Sequence, residues 1–195
     1  MKRVCVFCGS NAGIRPEYGI AARELATVLA RRGLGLVYGG GKVGLMGTLA
    51  DSMLEAGGEV IGVIPQSLVA KEVAHHGVSE LRIVDTMHQR KALMNDLSDA
   101  FIALPGGFGT LEEFFEILTW SQLGIHGKPS GLLNVSGYYD GLLAMLDHAV
   151  SEGFLRPAFR ELVIADIDAD ALVQRLDSFS PVRAGMRKNA TGNFL

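Results

Sequence analysis

No uninterrupted apolar run in this 195-residue chain approaches the ~20 residues that cross a bilayer, so no membrane partner is expected. The opening Met1-Lys2-Arg3-Val4-Cys5-Val6-Phe7 stops at Gly9-Ser10-Asn11, shorter than the core of an export signal, and cytoplasmic residence is expected. Cysteine is scarce: two residues, Cys5 and Cys8. Their offset of three sends them to opposite faces of a strand, so they read as buried thiols rather than a redox pair or zinc ligands, and no metal is expected. Basic residues do not dominate either. Eighteen Lys and Arg stand against 21 Asp and Glu, a net charge of −3, without the concentrated positive surface that nucleic acid requires. There is no internal repeat and no low-complexity linker. What is present, 48% hydrophobic and 20% charged residues, suits one well-buried core and is too short for two comfortable domains.

Strand-like runs alternate with helical patterns along the chain. Arg3–Phe7, Leu34–Tyr38, Glu59–Ile64, Glu80–Val84, Asp99–Leu104, Gly131–Val135 and Glu161–Ala165 are short and rich in Val, Ile, Leu or Phe. Glu17–Arg32, Gly44–Glu55, Met87–Leu97, Leu111–Leu123, Tyr138–Glu152 and Asp168–Leu176 carry apolar residues at helical spacing. Near-continuous apolar strands between helices predict an α/β fold: a doubly wound, mainly parallel, Rossmann-like sheet of about seven strands in a single domain over residues 1–180. Residues 181–195 lack an apolar period and are expected to form a flexible tail. In such a sheet ligands sit beyond the carboxyl ends of the strands, which directs attention to the turns there.

Two of these turns are glycine-based and ambiguous. After the first strand, Gly9 permits close approach of a ligand and Ser10 offers a hydroxyl and an amide, but a tight turn explains both. After the second strand, Gly39-Gly40-Gly41-Lys42-Val43-Gly44 contains G-x-G-x-x-G. It follows the wrong strand for a dinucleotide site, and the next strand ends in Pro65-Gln66 where a ribose-binding acid is expected. Lys42 is also outside a Walker A frame. A phosphate contact at Gly41 or simple tight packing remains.

The other two turns carry charge. Thr86 followed by Gln89 forms a capping box that starts a helix near Met87. Arg90 and Lys91 then fall in its early turns, where a cation opposes the helix dipole by roughly 0.3–1 kcal/mol. Arg90 shares a stripe with Leu93 and Leu97, pointing it toward protein, and a bound anion would relieve the conflict. The apolar run Asp99–Leu104 then delivers the chain to Pro105-Gly106-Gly107-Phe108-Gly109-Thr110-Leu111-Glu112-Glu113. A glycine turn between strand and helix exposes amide N–H groups at the positive end of the dipole, a phosphate cradle. It also places Glu113 in the first helical turn. Thr110-x-x-Glu113 is itself a capping box, which leaves a purely structural reading of that acid open. Against it, Glu116 shares a helix face with Glu113 while Glu112 turns away.

Met87-x-x-Arg90-Lys91 followed by Pro105-Gly-Gly-x-Gly-Thr-x-x-Glu113 resembles the signature pair of the Lonely Guy (LOG) family, once labelled "possible lysine decarboxylases". The likeness runs from Cys8-Gly9-Ser10 to about Asp147, through Tyr38-Gly-Gly-Gly41 and Trp120-x-x-Leu123-Gly124-Ile125-His126-x-Lys128-Pro129. It implies hydrolysis of the N-glycosidic bond of cytokinin riboside 5′-monophosphates, and of AMP, to free base and ribose 5-phosphate. It implies Arg90 and Glu113 as the catalytic pair. Substrate-binding positions implied by the resemblance or its turns are Ser10, Gly41, Glu72, Lys91, Gly106, Gly107, Phe108, Gly109, Thr110, Glu116 and Thr119. A homodimer is implied as well. No cofactor is expected, since nothing marks a pyridoxal-binding lysine with its supporting acid. In the implied chemistry Glu113 stabilises an oxocarbenium-like ribose and handles the attacking water, while Arg90 orients Glu113, binds phosphate or polarises the base. The rival expectation is a nucleotide- or molybdenum-cofactor-binding carrier or sensor module without hydrolase activity.

Overall fold

A computed structural model describes residues 1–69 and 73–180. Glu72 and the expected tail, 181–195, lie outside the described residues. Seven strands form one parallel sheet: β1 (Arg3–Phe7), β2 (Gly35–Tyr38), β3 (Val60–Pro65), β4 (Glu80–Val84), β5 (Ala100–Ala103), β6 (Ser130–Leu133) and β7 (Val163–Asp166). Their order is β4-β3-β2-β1-β5-β6-β7. The central strands, apart from Arg3 at the start of β1, are buried along their length because both faces are covered, which is why they read as apolar runs. The outermost β4 is different. Its Glu80 and Arg82 pair with each other near solvent, charge that discourages edge-to-edge association.

Helices α1 (Pro16–Arg31), α2 (Gly44–Glu55), α3 (Met87–Leu97), α4 (Phe108–Gln122), α5 (Asp140–Ser151), α6 (Pro157–Arg160) and α7 (Ala169–Asp177) make the two outer layers. One hydrophobic cluster packs α1, α2 and α7 against one face of the sheet, and a second packs α3, α4 and α5 against the other. Cys5 belongs to the second cluster and Cys8 to the first, so the two free thiols do lie on opposite sides. Among the described residues no helix is long and apolar enough to cross a membrane.

Two departures from the sequence expectation are local. The short α6 was hidden by its length and is signalled only by Pro157 at its first position. Helix α4 begins three residues early, at Phe108, with extended Gly107 as its N-cap. Thr110 therefore cannot head a capping box, and Glu113 falls in the second turn, not the first. The expected box at Thr86 does form: Thr86 accepts from the Gln89 N–H, and the Gln89 side chain accepts from the Thr86 N–H.

The chain winds outward from β1 to β4, then returns to the other side of β1 with β5. The strand order thus reverses between β1 and β5, and the turns leaving these two strands diverge to leave a crevice. They meet at its base, where the Gly9 N–H donates to the Pro105 carbonyl at 3.1 Å.

Candidate active site

A cavity of about 400 Å³ opens at this reversal, lined by the turns after β1, β2, β5 and β6 and by the N-terminus of α4. Among the described residues helix α4 has no side-chain cap and no acid in its first turn, so the amides of Phe108, Gly109 and Thr110 are available to an anion. Gly107 and Gly109 each have open space where a side chain would project, whereas a Cβ on Gly106 would collide with Thr110 Oγ1. The turn is thus packed on one side and open on the other, as an anion cradle requires. Thr110, Glu113, Arg90 and Cys8 also line the cavity.

Arg90 and Glu113 face each other across this floor. Arg90 Nη1 lies 3.3 Å from Glu113 Oε1, and the residues are 6% and 8% exposed. The guanidinium is anchored from behind: Nε donates to the Val63 carbonyl at 3.1 Å and Nη2 to the Gly39 carbonyl at 3.4 Å. One carbonyl lies within β3 and the other directly follows β2, so the sheet itself sets the position of the arginine. The anion that compensates Arg90 is therefore a side chain of α4. Such anchoring favours orientation of the carboxylate as the work of Arg90, with phosphate left to the α4 amides.

Burial, reinforced by the Glu113 charge, raises the pKa of the Cys8 thiol well above its ordinary value. Cys8 stays a neutral wall of the site and is no candidate nucleophile.

A second set of ion pairs runs parallel to the first on the outer side. Lys91 Nζ meets Glu112 at 2.6 Å and Glu116 at 2.9 Å. Burial opposes the Lys91 charge, but hydrogen bonds to the two acids outweigh it and raise its pKa. Consecutive basic residues of α3 thus grip the acids of α4 on two levels, which fixes the spacing of the two helices. Glu116 thus shares its ion pair with Glu112, while Glu113 faces Arg90, contrary to the expectation that Glu116 and Glu113 share a face from which Glu112 turns away.

A family model described as "Possible lysine decarboxylase" matches residues 46–176. Over 180 residues the chain is 53% identical to a cytokinin riboside 5′-monophosphate phosphoribohydrolase of Arabidopsis thaliana, covering 92% of this chain and 84% of that protein. A second Arabidopsis thaliana protein of the same description is 52% identical over 185 residues, 95% of this chain and 81% of its own. The chain belongs to the LOG family. In fold it is also similar to the molybdenum cofactor carrier protein of Chlamydomonas reinhardtii, with a TM-score of 0.68, 23% identity, and coverage of 91% of this chain and 99% of that one.

Within this LOG chain the cavity gathers Ser10, Arg90, Gly106, Gly107, Phe108, Gly109, Thr110 and Glu113. Gly41 is not in its wall; it pairs as an antiparallel bridge with Ala74. The G-x-G-x-x-G turn serves packing: Gly40 and Gly44 adopt positive φ, and a Cβ on Gly44 would strike the Ser10 backbone. Lys91 and Glu116 are held by each other outside the cavity, and exposed Thr119 bonds back to the Phe115 carbonyl at 2.7 Å.

Sequence reasoning missed Gly39, Met46, Tyr18 and Tyr138, all of which line the cavity. Tyr138 was within reach, since it leaves the carboxyl end of β6. Gly39 makes a direct prediction. A Cβ there would strike Arg90 Nη2, so Gly39→Ala is expected to push the guanidinium off the β2 carbonyl and away from Glu113. Turnover should drop by about tenfold to a hundredfold, as for a small misplacement of a catalytic group. Steady-state kinetics beside a thermal melt will check this, and unchanged turnover would mean the exact seat of Arg90 is unimportant.

Proposed function

We propose that this chain hydrolyses the N-glycosidic bond of cytokinin riboside 5′-monophosphates, releasing free base and ribose 5-phosphate. The observation that carries the reading is the joint placement of a sheet-anchored Arg90–Glu113 pair and an uncapped glycine-rich helix start in one nucleotide-sized cavity. It agrees with the activity named for relatives 52–53% identical. Among the described residues that line the cavity there is no lysine to hold a pyridoxal aldehyde, which favours the hydrolase reading over the decarboxylase label.

In this proposal the α4 amides and Thr110 grip the 5′-phosphate. As the C1′–N bond breaks, its electron pair leaves with the base and positive charge grows on the ribose. The Glu113 carboxylate faces that charge, accepts a proton from water, and directs the water oxygen to C1′. The departing base takes up a proton. Arg90 keeps the carboxylate aimed. Phosphate binding energy is spent on holding C1′ against Glu113. AMP is proposed as a further substrate, and a cytoplasmic homodimer as the working form. Exposed Leu123 and Ile125 after α4 supply apolar surface for such a contact.

The test is chromatography of N6-isopentenyladenosine 5′-monophosphate, AMP and the unphosphorylated riboside after incubation with the protein. The monophosphates should give base and ribose 5-phosphate in equal amounts, with the riboside slower by about 10²-fold or more. Binding without release of any base would return the chain to the carrier or sensor class.

A further inference from the structure

We infer that Tyr138 is a positioning residue for phosphate recognition, acting by locking one peptide plane of the Gly106–Gly107 turn. The inference rests on the hydrolase reading above and concerns how its anion cradle is kept in shape. Two adjacent glycines give that turn its openness, and they also make it floppy, because a Gly-Gly peptide can rotate at little steric cost. The turn needs an external hold, and the structure provides one for three successive carbonyls. Tyr139 Oη donates to the Leu104 carbonyl at 2.7 Å, the Gly9 N–H to the Pro105 carbonyl at 3.1 Å, and Tyr138 Oη to the Gly106 carbonyl at 2.6 Å.

The last of these bonds has the functional consequence. In a trans peptide the carbonyl and the following N–H point in opposite directions. With the Gly106 oxygen drawn toward Tyr138, the Gly107 N–H is directed the other way, ahead of the free amides of Phe108, Gly109 and Thr110. Without the phenol, that peptide can turn its carbonyl oxygen toward the anion instead. One hydroxyl therefore governs whether the cradle presents a donor or an acceptor at its first position.

The segment after β6 is built to deliver this phenol. Ser136 and Gly137 both lie in the left-handed region, at φ 51° and 72°, and a non-glycine there is uncommon. This tight double reversal puts adjacent tyrosines within reach of carbonyls two residues apart. Asn134 braces it, accepting from the Tyr139 N–H at 2.7 Å while its side-chain amide donates to Asp140 at 2.7 Å. The Tyr138 ring is boxed edge-on between Tyr139, at 5.0 Å, and Tyr18, at 5.8 Å.

The tyrosines divide the labour between stability and recognition. Tyr139 is buried and belongs to the core, whereas Tyr138 is 42% exposed on the cavity wall, so removing its oxygen leaves no buried group stranded among apolar side chains.

The experiment compares Tyr138→Phe and Tyr139→Phe with the unaltered protein. It measures kcat and KM for the monophosphate, the rate on the riboside, the melting temperature, and the dissociation constant of ribose 5-phosphate by calorimetry. For Tyr138→Phe, KM and the ribose 5-phosphate dissociation constant should rise by about tenfold, the upper range for one ordered hydrogen bond. The riboside rate should hold, since that substrate has no phosphate to lose. Tyr139→Phe should chiefly lower the melting temperature. Unchanged phosphate affinity in Tyr138→Phe, or equal losses on monophosphate and riboside, would overturn the inference. No binding of ribose 5-phosphate to the unaltered protein would overturn it too. If no substrate is cleaved yet ribose 5-phosphate binding weakens in Tyr138→Phe, the hydrolase reading fails and the positioning role stands.

Discussion

Glu113→Gln is expected to lower turnover on the monophosphate by about 10³-fold, the range for losing a group that both handles the proton and stabilises developing charge. Gln is isosteric, so the shape of the cavity floor is retained. It can still accept a hydrogen bond from Arg90, but it can neither take a proton from water nor oppose the positive charge on ribose. The Arg90 guanidinium keeps its two carbonyl acceptors, Val63 in β3 and Gly39 just after β2, which limits the loss of stability. Ribose 5-phosphate should still bind, because the α4 amides that hold the phosphate are untouched. Kinetics together with calorimetry separate these effects. Turnover within a few fold of the unaltered protein would reduce Glu113 to a strut between two helices.

Arg90→Met should have the second largest effect, and it extends to stability. The substitution removes the guanidinium that faces the buried Glu113 carboxylate and strips the Val63 and Gly39 carbonyls of a donor. Breaking a buried pair from one side costs about 3 kcal/mol or more, which is roughly 10 °C in melting temperature for a domain of this size. Turnover should fall by about 10²-fold or more, since the carboxylate is no longer aimed. The double variant Arg90→Met with Glu113→Gln should be more stable than Arg90→Met alone, because the negative charge that Arg90 offset is gone. If the double variant is instead the less stable of the two, the pair does not carry the electrostatic coupling assigned to it.

The fold was legible because burial on both faces writes itself into continuous apolar strands, and seven such runs sit within a residue or two of the seven observed. Arg90 was legible as an energetic conflict, a cation in an early helical turn on an inward stripe. The structure resolves that conflict with Glu113, at a sequence distance no local pattern spans. The start of α4 was misplaced because Thr110 and Glu113 have the residue types of a capping box. The actual cap, Gly107, has no side chain to announce itself. The outer position of Lys91 and Glu116 was hidden for a related reason: helical spacing gives the face of one helix, not which acid the neighbouring helix will engage. The tyrosine hold on the glycine turn was the least legible feature. Tyr138 reaches a backbone oxygen 32 residues away, and a side-chain-to-carbonyl bond leaves no trace in the sequence of the acceptor.

The most direct measurement is a crystal structure of the Glu113→Gln protein with N6-isopentenyladenosine 5′-monophosphate bound. The account predicts the phosphate on the amides of Phe108 to Thr110, the C1′ carbon over residue 113, and the Arg90 guanidinium still seated on Val63 and Gly39. A nucleotide bound with its phosphate away from the α4 start, or with C1′ out of reach of residue 113, would contradict it.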